Sequence, residues 1–220
     1  MVEKQIIINE YLDYLKNKNF PCIGAKAALA KQQISCMVAG NLACPQDDLI
    51  ILEFLYDFTD DYRSSTELYH SAVILFKEPA NCDEKMFDHL LWQRLQALSD
   101  LDATRYCYDK RVSPDPASEH FSFSLKQEAF FIICLHPASS RPARQFHYPA
   151  IVFNPHAQFE KLRQAGMYEK LKHSVRKRDI AFSGSINPML KDYGEASEAY
   201  QYSGRQYDET WQCPLKIKHG

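Results

Sequence analysis

The chain has 220 residues and a formal charge of −2, and it is 45% hydrophobic and 25% charged. Those values suit a globular protein with one core and give no general pull toward nucleic acid or anionic lipid. No apolar run approaches the ~18–20 residues that span a bilayer, and the charged amino end lacks the layout of a signal peptide, so the expected location is cytoplasmic.

In chain order, Ile6, Ile7, Tyr11, Tyr14 and Leu15 fall at helical spacing and predict an amphipathic helix over roughly residues 2–18. Phe20-Pro21 ends it, because the residue before a proline avoids helical geometry. Ala25–Gln33 reads as a short alanine-rich helix and residues 41–48 as a loop. The runs Ile50–Phe58 and Tyr69–Lys77 are rich in β-forming residues. They are expected to be the arms of a long hairpin joined by the polar stretch Thr59–Thr66.

Asp83 opens a helix reaching about Leu98, with Phe87, Leu90, Leu91, Leu95 and Leu98 on its apolar side. Residues 113–120 form a loop. Phe121–Leu125 and Ala129–Leu135 predict a second hairpin whose later arm is buried on both faces. Ala150–Phe153 is a short strand. Asn154 as N-cap and Pro155 at the first helical position then start a helix to about Arg178. From 180 to 220 the pattern is irregular, a segment expected to pack on the rest. The expected fold class is α+β, a mostly antiparallel sheet flanked by helices in a single domain over residues 1–220.

Seven cysteines stand singly, with no CxxC pair. Free thiols, mostly buried, are expected in a reducing compartment. Cys22 differs in sitting just before a helix start, where the helix end lowers a thiol pKa and a redox role becomes an option.

The densest chemistry lies between Ile133 and Arg163. His136 leaves an apolar strand ahead of Pro137, and Ser139, Ser140, Arg141 and Arg144 follow. Hydroxyls and fork-shaped cations suit a carboxylate or phosphate. The plainer reading is a polar strand exit with capping hydroxyls. His156 falls at a helix start, where the positive helix end favours the neutral imidazole that a metal requires. Its plainer reading is a first-turn histidine packed on Phe153 or Phe159. If the strands ending at His136 and Phe153 pair antiparallel, their ends lie ~15–20 Å apart, which favours one ligand over a two-histidine site. The basic run at residues 173–179 is expected to complement a helix dipole rather than bind nucleic acid. In the tail, Glu195 and Glu198 are carboxylates that could receive a cationic substrate.

Taken together, FPCIGAKAAL, LWQRLQALSDLD, LHPASSRPARQF, NPHAQFEKLR, RDIAFSGSINPML and YGEASEAYQYSGR resemble the YqcI/YcgG family, from about Phe20 to Cys213. Some of that family resemble haem-dependent N-hydroxylases acting on arginine or related guanidino compounds. The resemblance implies haem b and a monooxygenase hydroxylating a nitrogen of such a compound. Its motif histidines are His136 and His156, the expected candidates for the iron ligand. Arg141 and Arg144 are candidates for the haem propionates, and Ser139 or Ser140 for orienting the imidazole. The loop arginines give His136 the preference. Glu195 and Glu198 would meet the substrate cation. Expected partners are a small amino or guanidino substrate, an external electron donor and, as an option left open, a second copy of the chain. Nucleic acid and membrane are not expected. A non-catalytic haem or small-molecule binding protein, a carrier or sensor, is the alternative. Leu135 and Lys126-Gln127 stand where the family pattern leads to glycines.

Overall fold

In the computed structural model, which describes residues 2–219, five strands form one sheet. They are β1 (Ile34–Asn41), β2 (Ser71–Glu78), β3 (Phe123–Leu125), β4 (Glu128–Leu135) and β5 (Ala150–Pro155), in the order β1-β2-β5-β4-β3. The β1–β2 pair is parallel, and every other pair is antiparallel. The fold is α+β, as the sequence predicts.

Alternation along the strands sends neighbouring residues to opposite faces. Ile132, Cys134, Ile151 and Phe153 face a core built with α3 (Asp48–Ser64) and α4 (Glu84–Asp102). Val73, Leu75, Leu135, Ala150 and Val152 face a second core under α1 (Val2–Lys16), which supplies Ile7, Tyr11 and Leu15. The helix α2 (Ile23–Ala30) packs beside α1, and its N-cap Cys22 accepts a hydrogen bond from the Ala25 amide.

The expected hairpin of Ile50–Phe58 with Tyr69–Lys77 does not form. Ile50–Phe58 lies inside α3, which buries Ile51, Leu52, Leu55, Tyr56, Thr59 and Tyr62. That spacing of three and four is a helix stripe, and it outweighs the β propensity of the individual residues. α3 is the crossover that lets β1 and β2 run parallel. β1 itself, drawn from ISCMVAGN, was not among the expected strands.

The expected helix from Asn154 to Arg178 is two helices, α5 (His156–Gln164) and α6 (Tyr168–Ser183). Gly166, at φ +66, ends the first, a backbone conformation that favours glycine. Asn154 is not the N-cap. Its amide sits across three strands, accepting from Ser71 Oγ at 2.7 Å and donating to the Phe131 carbonyl at 3.2 Å. A short α7 (Ala199–Tyr202) packs against β4 within the otherwise irregular tail.

Lys126 and Gln127 join β3 to β4 with φ of +50 and +57. A two-residue hairpin needs this left-handed geometry, which is why glycine is favoured there. Arg63 holds the turn by donating to the carbonyls of Lys126 at 2.8 Å and Gln127 at 3.0 Å, and Asp102 accepts from the Lys126 amide at 3.0 Å.

Candidate functional site

Under α6, the α1 face of the sheet borders a cavity of about 280 Å³. Its floor is apolar, with Phe131, Ile133 and Leu135 from β4 and Val152 from β5. Leu171 and Val175, one turn apart on α6, form the roof, and Tyr11, Leu15 and Phe20 close one end. Polar clasps hold α6 in place. Arg141 pairs with Asp179, Lys172 and Arg176 reach Asp192 at 2.8 and 3.1 Å, and Arg178 donates to the carbonyls of Lys18 and Phe20.

His156 opens α5 at the carboxyl end of β5 and stands in the cavity wall, 7% exposed. Its Nδ1 lies 3.4 Å from Glu198 Oε1 and has no hydrogen-bond partner, and its Nε2 lies 3.7 Å from Glu160 Oε1. Tyr193 meets the imidazole edge-on at 4.4 Å between ring centres. Glu198 is itself buried and lines the same wall. The carboxylate thus stands beside the imidazole without a hydrogen bond to it.

His136 lies elsewhere. β4 and β5 pair antiparallel, with Leu135 opposite Ala150 and Phe130 opposite Pro155. The two histidines therefore sit at opposite ends of the pair, about 20 Å apart along the strands. His136 shares the parity of Cys134 and turns to the α4 face. There it is 0% exposed and stacks on Phe87 at 4.2 Å. Neither ring nitrogen has a partner. Burial drives its pKa down to about 4, against a smaller opposing pull from Glu84. It does not border the cavity.

The other loop residues divide. Arg141 and Arg144 reach the cavity wall, whereas Ser139 and Ser140 do not. Ser139 accepts from the Arg141 amide within its own loop, and Ser140 donates to Glu84 at the start of α4. The Arg144 guanidinium is buried and caps α7, donating to the carbonyls of Gln201 at 3.2 Å and Cys134 at 3.1 Å. Glu195 is exposed and accepts from the Asp192 amide at 3.0 Å, a turn contact outside the cavity. Cys22 borders the cavity, but burial raises its thiol pKa and outweighs the amides of Ala25 and Gly24 that pull it down. The helix-end effect expected for that thiol is overridden.

Sequence reasoning missed Gln158, Tyr193, Lys172 and the roof residues of α6. Gln158 and Gln201 are buried on the cavity wall. Each anchors its amide nitrogen, to the His70 carbonyl at 3.2 Å and the Lys191 carbonyl at 3.1 Å, and each leaves Oε1 without a partner. The spacing of Leu171 and Val175 was the available signal for the roof. Among the described residues, no three His, Cys, Asp or Glu side chains form a metal-holding group.

One mixed sheet with helices on both faces, and a roofed apolar cavity carrying a single histidine beside a carboxylate, define an α+β protein with a candidate pocket. The chain belongs to the YqcI/YcgG family, whose match covers residues 11–216. No curated protein and no solved structure matches it. Among the described residues, no helix is long and apolar enough to cross a membrane.

Proposed function

We propose that the chain is a haem-dependent monooxygenase that hydroxylates a nitrogen of arginine or a related guanidino or amino compound. The observation that carries this reading is His156 in the wall of an apolar cavity, with buried Glu198 at its Nδ1. The fit to haem rests on that cavity's apolar floor and roof, the cations at its margin, and its one imidazole, whose Nε2 would be the nitrogen offered to iron while Nδ1 faces Glu198.

In this reading His156 would hold the iron, with Glu198 beside its Nδ1, a role different from the substrate contact expected from sequence. Arg176, whose Nε has no partner among the described residues, would meet a propionate carboxylate, whereas Arg141 and Lys172 would have to share theirs with Asp179 and Asp192. Bound haem supplies the activation of dioxygen, with electrons from an external donor. The chain's own residues exclude water, through the β4 floor and the α6 roof, and position the substrate. Two acceptor oxygens, Gln158 Oε1 and Gln201 Oε1, suit a ligand rich in N–H donors.

The test is the absorption spectrum of protein produced with a haem precursor. A Soret band lost in His156→Ala and kept in His136→Leu is expected. A band that survives His156→Ala, or no band at all, refutes the assignment. A band without oxygen consumption across guanidino and amino substrates would instead indicate a carrier or sensor.

A further inference from the structure

The chain has two tryptophans, Trp92 and Trp211, and they lie together. Their ring centres are 5.7 Å apart. Tyr202 stacks on Trp92 at 6.1 Å, and Tyr207 stacks on Trp211 at 3.9 Å. On the inner side Tyr202 meets Phe131, part of the cavity floor, edge-on at 6.3 Å. On the outer side Trp211 is only partly buried. The easily oxidised rings of this region thus form a file that starts at Tyr202, one phenyl ring behind the cavity floor, and ends at the surface.

Packing alone explains an aromatic core. The shared carboxylate satisfies two buried donors and also sets a proton acceptor among these rings. Asp88, buried on α4, accepts from Trp92 Nε1 at 2.9 Å and from the Tyr207 hydroxyl. Trp92 Nε1 also reaches the Tyr207 oxygen at 3.3 Å, and Arg205 stands 3.2 Å from the other Asp88 oxygen. An indole or phenol that loses an electron becomes strongly acidic at its N–H or O–H. A hydrogen-bonded carboxylate that takes the proton at once makes that loss easier. One carboxylate serving a tryptophan and a tyrosine in contact is the arrangement such chemistry needs.

We propose that Tyr202, Trp92, Tyr207 and Trp211 form an electron relay, with Asp88 as its proton acceptor, that carries oxidising equivalents from the cavity to the surface. The proposal rests on the reading of the cavity as a haem site. With bound haem supplying a one-electron oxidant, Tyr202 would give up an electron and the deficit would move outward through Trp92. At Tyr207 the O–H bond breaks, its proton passes to the Asp88 carboxylate, and a neutral tyrosyl radical remains. A thiol or ascorbate-type one-electron donor in solution returns the electron at the Trp211 end, and the proton goes back from Asp88 to Tyr207. The net change is one electron moved inward, which discharges the oxidant when no substrate consumes it.

The outer half is tested without haem. Azidyl radicals from pulse radiolysis oxidise tryptophan first, and Trp211, only partly buried, is the accessible one. Tryptophanyl absorption should decay into tyrosyl absorption at a rate independent of protein concentration. Tyr207→Phe and Asp88→Asn should each slow that step about tenfold, equivalent to a barrier ~1.4 kcal/mol higher. Unchanged rates in both variants overturn the proposal; near-ultraviolet circular dichroism checks that each is folded. The inner half is read on haem-loaded protein treated with peroxide, by peptide mapping. Oxygen adducts on Trp211 that disappear in Trp92→Phe support the relay. Adducts confined to cavity residues such as Phe131 and Tyr193 overturn it. Absence of a Soret band removes the haem reading and the relay's inner terminus with it, whereas failure of the radiolysis step removes the relay alone.

Discussion

His136 gives a sharp test through its response to acid. In the folded chain it is 0% exposed, stacked on Phe87, with both ring nitrogens unpartnered. Burial lowers its pKa from 6.5 to about 4. The unfolded chain therefore takes up this proton at higher pH than the folded one. Between those two values the unfolded state binds more protons, so stability falls as pH falls through that window. The shift corresponds to at most about 3 kcal/mol, all of it retained above the unfolded pKa and gone by the folded one. His136→Leu removes the titration and keeps an apolar group of similar size. At neutral pH it should be close to neutral or stabilising, because two unpartnered nitrogens leave the core. The assay is urea unfolding from pH 7 to pH 4 for both proteins. Other titrating groups are common to both, so the difference between the two stability curves isolates His136. Parallel curves would refute the reasoning and would mean that the imidazole has a partner after all.

Other perturbations test the fold and the site. Asp48 and Arg94 form a pair that is 5% and 4% exposed, and Arg94 also donates to the Leu42 and Cys44 carbonyls. Asp48→Ala leaves that guanidinium without its carboxylate and should cost about 3 kcal/mol in chemical denaturation. Gln127→Gly relieves a left-handed residue in the β3–β4 turn and should stabilise by up to ~1 kcal/mol, read as a higher melting temperature. Alkylation at neutral pH should reach the exposed Cys44 and Cys107 well before Cys22, whose rate should climb as pH rises toward its elevated pKa. Fast labelling of Cys22 at neutral pH would revive the thiol redox role.

Several elements were legible because one signal dominated. Asp83 caps α4 through its contact with the Met86 amide, and the Phe87-Leu91-Leu95-Leu98 stripe points inward as periodicity predicts. Ile50–Phe58 failed because an unbroken apolar run reads equally as a buried strand or a helix. Only its place as the crossover between parallel strands decides the matter. β1 was silent because its Cys, Ala and Gly residues carry little β preference, and its half-buried edge shows no clean alternation. For the site, strand parity was readable from sequence: it puts His136 on the side of Cys134. Which side holds a cavity was not, since that depends on where α6 lies, and contacts between distant segments such as Arg141 with Asp179 fix it.

The strand order also sets a schedule for synthesis. Six consecutive residues of β2, Ser71–Phe76, are buried, and the strand lies between β1 and β5. Its first neighbour emerges from the ribosome before it. Its second, which pairs Phe153 with Ala72, emerges some eighty residues later. Throughout that interval the nascent chain carries an apolar strand with one edge unsatisfied, the kind of edge that recruits other chains. Residues 150–155 complete the sheet and close that edge. Mutations that weaken β5 should therefore lower the yield of folded protein in the cell by more than their equilibrium cost.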